Sequence, residues 1–111
     1  MKGGVVAIVL ALLSSPSLAQ SLPRFDVDAH CKKIASVSGT HSATLEETCF
    51  DMEQDAYDKM KPNWPGVPSS VRAHCEKIAK VGGTGSYTLL DTCIGMELDA
   101  AKSKGGKTFK Y

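Results

Sequence analysis

The residues of this 111-residue chain that could do chemistry are four cysteines, three histidines and a repeated carboxylate pair. His30 and His74 stand directly before Cys31 and Cys75. They are therefore matched candidates for a metal or haem site, with His41, Met52 and Met96 as further donors, since imidazole suits several metals. Against that chemistry, no H-x-x-x-H or C-x-x-C spacing occurs. A histidine next to a core position on a helix usually borders the apolar stripe, so both rings are expected to pack at its edge. No metal ligand and no cofactor is assigned. Met52-Glu53-x-Asp55-Ala56 and Met96-Glu97-x-Asp99-Ala100 offer paired carboxylates of a kind used in acid–base or cation chemistry. Their structural role is the stronger expectation. Counting from the cysteines puts Glu53 level with Val27, where a helix dipole favours a carboxylate by up to about 1 kcal/mol. The same count puts Lys33 opposite Glu47 and Lys77 opposite Asp91.

Catalysis finds no support. A reactive cysteine needs a thiolate beside a base, and the cysteines here lie on apolar helix faces. No G-x-S-x-G turn is present. Gly82-Gly83-Thr84-Gly85-Ser86 lacks the lysine of a phosphate loop and follows a helix rather than a strand, so it reads as a turn. No catalytic residue is assigned, and the chain is expected not to be an enzyme. Trp64, the single tryptophan, is a candidate anchor for a partner, with packing over the end of the fold as the favoured alternative.

The elements that position these residues come from a duplication. Shifted by 44 positions, residues 27–56 match residues 71–100 at 19 of 30 places without a gap. Each copy reads as helix, turn, helix. Asp26 or Asp28 caps a first helix that runs toward Ser38 and stops at Gly39. Thr44 opens a second helix with Glu47 in a capping box. Ser69 or Ser70, Gly82-Gly83 and Thr88 repeat the plan. Val27, Cys31 and Ile34 line one face of the first helix, and Leu45, Cys49, Met52, Ala56 and Met60 one face of the second. Cys31 lies about 10 Å before the turn and Cys49 about 8 Å after it, at 1.5 Å per residue. The pairs Cys31–Cys49 and Cys75–Cys93 therefore fall level, and each bridge is worth about 3 kcal/mol in the chain-entropy account. One hairpin cannot bury its stripe alone. The expected fold is all-α, two disulfide-linked helical hairpins packed as a pseudo-symmetric four-helix bundle.

Outside the repeat, Lys2, the apolar run 5–13 and Ser17-Leu18-Ala19 have the layout of a secretory signal peptide cut after Ala19. Nine apolar residues are too few to span a bilayer, which takes about 20. The expected organisation is a leader over 1–19 and one helical domain over 20–111. Within that domain lie repeat 27–61, a stiff proline-rich linker 62–68, repeat 69–102 and a flexible basic tail 103–111. Without the leader the chain carries 12 basic and 12 acidic residues, so no global field attracts nucleic acid. The halves 20–66 and 67–111 carry −3 and +3. The leader layout and the even number of cysteines point to a periplasmic or secreted protein without stable membrane insertion after cleavage, for which an envelope protein is the expected partner.

Leu22-Pro23-Arg24-Phe25-Asp26-Val27, His30-Cys31 and Asp51-Met52-Glu53-Gln54-Asp55-Ala56-Tyr57 resemble small uncharacterised exported proteins of alphaproteobacteria with tandem HC…C blocks. That resemblance implies export and no activity. In outline, Cys49, Glu53 and Ala56 are also similar to a C…E…A run of the lysozyme-inhibitor LprI-like family, which implies an inhibitor-like role. The loops and cysteine spacing depart from that family.

Overall fold

A computed structural model describes residues 3–4, 21–103 and 107–111. The expected leader and its cleavage point fall almost wholly outside the described residues. Four helices follow in order, α1 (Val27–Ala35), α2 (Ala43–Met60), α3 (Ser69–Ala79) and α4 (Tyr87–Ser103). A single 3-10 turn, Trp64–Gly66, interrupts the linker. No strand occurs among the described residues. The fold is an all-helical bundle of two like hairpins.

Local chemistry sets the helix ends. Asp26 caps α1, its carboxylate accepting from the Ala29 N–H at 3.0 Å. Ser42, not Thr44, caps α2 by accepting from Leu45 N–H at 3.2 Å, so α2 starts earlier than its capping-box pattern suggested. Pro68 takes the cap position of α3, ahead of Ser69 and Ser70. α1 and α3 end at Ala35 and Ala79, short of the expected stops, because the chain turns back at once. Gly39 and Gly83 take φ values of 90° and 93° in those turns, a region that disfavours any side chain. Ser42 N–H then reaches Ala35 O at 2.9 Å, and Ser86 N–H reaches Ala79 O at 3.1 Å, closing both hairpins alike.

The predicted disulfides form. Cys31–Cys49 and Cys75–Cys93 each join Cα atoms 5.5 Å apart. Two closed disulfides suit an oxidising compartment.

The hairpins meet through α2 and α4, and they do so with unlike faces. α2 presents Glu53, Ala56 and Met60, all buried, whereas α4 presents Tyr87, Leu90 and Ile94. The main core joins these to Phe25, Trp64, Val67, Cys75 and Ala79. It is therefore built on the second hairpin plus the far end of α2. A strap at residues 22–25 runs over this core. Phe25 stacks on Tyr87 with ring centroids 4.7 Å apart, and its N–H donates to the Tyr87 hydroxyl at 2.9 Å. That hydroxyl donates in turn to Pro23 O at 2.8 Å. The strap lies so close to Gly85 that an added Cβ would meet the Phe25 ring at 2.4 Å. The repeat-equivalent position holds His41.

Candidate functional site

Glu53 is the pivot of the molecule. Its side chain is 2 % exposed, yet it carries a carboxylate, and burial of that kind demands partners. Ser86 Oγ donates to Oε1 at 2.7 Å, and the backbone N–H of Tyr87 donates to Oε2. The carboxylate thus caps the first turn of α4, where N–H groups point outward and the helix dipole favours negative charge. Ser86 completes the cap by accepting from Leu89 N–H at 3.2 Å. Glu53 was expected to serve the amino end of α1. Asp26 already fills that role, and the carboxylate crosses to the other hairpin instead.

The other expected pairs are rearranged for the same reason. Lys33 does not pair with Glu47 but donates to Gly82 O at 2.6 Å, tying α1 to the second turn. Asp91 pairs with Lys59 at 3.2 Å rather than with Lys77. Contacts within one hairpin give way to contacts between hairpins.

Each histidine stands against a glutamate of its own copy. His30 Nε2 lies 3.6 Å from Glu53 Oε1, and its Nδ1 lies 3.5 Å from Thr84 Oγ1. His74 Nε2 lies 3.6 Å from Glu97 Oε1, with both side chains about half exposed. His41 bonds Glu46. Among the described residues no group of three or more His, Cys, Asp or Glu could hold a metal ion. Trp64 is 2 % exposed with Arg72 over its ring at 5.7 Å, so it packs and presents no exposed anchor.

Beside the Glu53 pivot runs a groove of about 410 Å³ whose wall is almost entirely apolar. Ile34, Leu45, Met52 and Leu89 line it at 41 %, 42 %, 54 % and 46 % exposure, with Cys49 below. The spacing had placed Ile34, Leu45 and Met52 on the core-facing stripe; the stripe is wider than the core can cover, and its edge stays open to water. Thr88, also in the lining, has a buried Oγ1 without a hydrogen-bond partner among the described residues. Along the neighbouring outer side of α2, Glu47, Asp51, Asp55 and Asp58 are all exposed, at the spacing of one helix face. Ser86, Thr88 and Leu89, which belong to the second hairpin, were beyond sequence reasoning as partners of α2. The match of Ile34, Leu45 and Met52 to Ile78, Leu89 and Met96 is the one signal in the sequence that these positions do more than fill a core.

Tyr87 shows a clear shift in acidity. Burial pushes its phenol above the ordinary 10.0, partly offset by the hydrogen bond from the Phe25 backbone.

Comparison with protein-family models, with curated proteins and with solved structures returns no match. No helix among the described residues is long and apolar enough to cross a membrane.

Proposed function

We propose that this is a non-enzymatic, exported protein-interaction module of the cell envelope, periplasmic or secreted, which acts in an inhibitor-like way by occupying a surface of its partner. The observation that carries the reading is the open apolar groove of Ile34, Leu45, Met52 and Leu89. Four large side chains left about half exposed in one concavity resemble the apolar core of an interface. The acidic ridge of Glu47, Asp51, Asp55 and Asp58 beside it selects the partner's chemistry. It calls for a helix or extended segment with an apolar edge flanked by lysine or arginine. The leader-like start and the two disulfides support export.

The test is titration of the disulfide-intact protein with a synthetic amphipathic helix bearing leucines on one edge and lysines beside them. Leu89→Asp and Met52→Glu should each weaken binding at least about tenfold, one good apolar contact being worth about 1.4 kcal/mol or more. Asp51→Lys should slow association and flatten its salt dependence. Binding that ignores all three substitutions would sink the groove as the docking surface. The intact mass of protein recovered from the periplasm reports separately on the cut after Ala19.

A further inference from the structure

On the opposite edge of α2, away from the groove, lies a second concavity of about 460 Å³. It is formed where the strap crosses α2, and its rim and walls are Arg24, Phe25, Phe50, Gln54, Tyr57 and Tyr87. Its volume falls in the range of small-molecule sites, about 300–1,000 Å³. Four aromatic rings converge on it. Tyr57 meets Tyr87 edge-on at 5.0 Å, Phe25 stacks on the other side of Tyr87, and Phe50 stands 45 % exposed as an outer wall.

The polar groups of this concavity are mostly spoken for. The Tyr87 hydroxyl both accepts from Phe25 N–H and donates to Pro23 O. Glu53, at the floor, is taken up by Ser86 and Tyr87. The Gln54 amide N–H donates to Asp58 at 2.9 Å. Arg24 is different. Among the described residues its guanidinium has no hydrogen-bond or ion-pair partner. It is exposed and contributes a forked cation to the lining that holds the aromatic rings. Such a fork matches a carboxylate bidentately. Asp26 and Asp28 flank Arg24 in the adjoining hollow. Their charge opposes a dianion, so the site favours a single negative charge over a phosphate.

We propose that this concavity binds a monocarboxylate carried on an aromatic body, the ring seated among Phe25, Phe50, Tyr57 and Tyr87 and the carboxylate on Arg24. The ligand chemistry is shared by small aryl acids and by the free carboxyl end of a chain that finishes in an aromatic residue. This site is separate from the groove proposed above and does not depend on it.

Amide-shift mapping of the ¹⁵N-labelled protein decides the matter, with 3-phenylpropionate, its neutral amide and N-acetyl-Gly-Phe as probes. The two acids should shift residues 24–27, 50–57 and 87, and the amide should bind at least about tenfold more weakly, the worth of a charged hydrogen bond. Arg24→Gln, at an exposed position, should erase that preference without unfolding the chain. Phe50→Ala should weaken both acids while keeping the preference for charge. A tighter 3-phenylpropionate would identify a small aryl acid as the ligand type, and a tighter N-acetyl-Gly-Phe a chain end. Shifts that are absent, that lie elsewhere, or that are the same for acid and amide or for Arg24→Gln and the parent would overturn the proposal.

Discussion

Replacing Glu53 with alanine removes both acceptors from the buried start of α4, leaving Ser86 Oγ and Tyr87 N–H without their partner. Stranded buried donors, with the loss of charged hydrogen bonds, cost about 3 kcal/mol. Glu97 holds the same place in the second copy, yet its side chain is 47 % exposed and faces only His74. Glu97→Ala should therefore change stability by no more than about 0.5 kcal/mol. Urea unfolding of the two variants side by side checks this, and equal losses would show that the cap across the hairpins is not what holds Glu53. The repeated Met-Glu-x-Asp-Ala stretch was legible as a unit, and so was the capping of a helix amino end by Glu53. Which helix end Glu53 serves was not. Spacing from a disulfide fixes register inside one hairpin and says nothing of what crosses from the other.

At the scale of elements, the two hairpins look interchangeable and their crosslinks are not. Each disulfide closes a span of 18 residues, worth about 3 kcal/mol by loop entropy. Cys75, however, is fully buried in the main core, with Cys93 packed against it, whereas Cys31 and Cys49 lie outside that cluster. Cys31 is as buried as Cys75, so Cys31→Ala with Cys49→Ala should lower stability by the entropic amount plus a small cavity cost. Cys75→Ala with Cys93→Ala should lower it further, because its cavity opens inside the main core, whereas Cys49 borders the open groove. Thermal unfolding followed by circular dichroism ranks the two, and a larger loss for the first pair would contradict the packing. The helices and both bridges were readable because the repeat supplied two independent versions of the same periodicity. The helix starts were misjudged by one or two residues where several serines, threonines and aspartates competed for one cap. Ser42 won over Thr44 because its hydroxyl sits one residue ahead of the first helical turn, within reach of Leu45 N–H.

The whole molecule departs from exact duplication in how its halves meet. Tyr87, Leu90 and Ile94 of α4 are core, and their counterparts in α2 are Ala43, Glu46 and Phe50, none of them buried. An internal match tells that two hairpins are alike. Only the substitutions at these counterparts hint which face of each is covered. The strap fastens this unequal packing through the Tyr87 hydroxyl, and that has a pH signature. Because burial raises the phenol above 10.0, the folded state prefers the neutral form. The resulting stabilisation is fully present below about pH 10 and is lost as pH climbs through the raised value, since the unfolded chain sheds the proton first. Urea midpoints should hold steady through neutral pH and fall in alkali. Tyr87→Phe should be less stable at pH 7, for want of the bonds to Phe25 and Pro23, and should lose much of the alkaline decline. An unchanged decline would place its origin elsewhere.

The strap also sets a timetable. Phe25 waits for Tyr87, 62 residues further along the chain. At synthesis rates of roughly 5–20 residues per second, about 3–12 s separate the making of these two partners. In that interval the buried side of α2 has nothing to lie against. The packing of the earliest segment of the fold is thus completed by a helix made well after it.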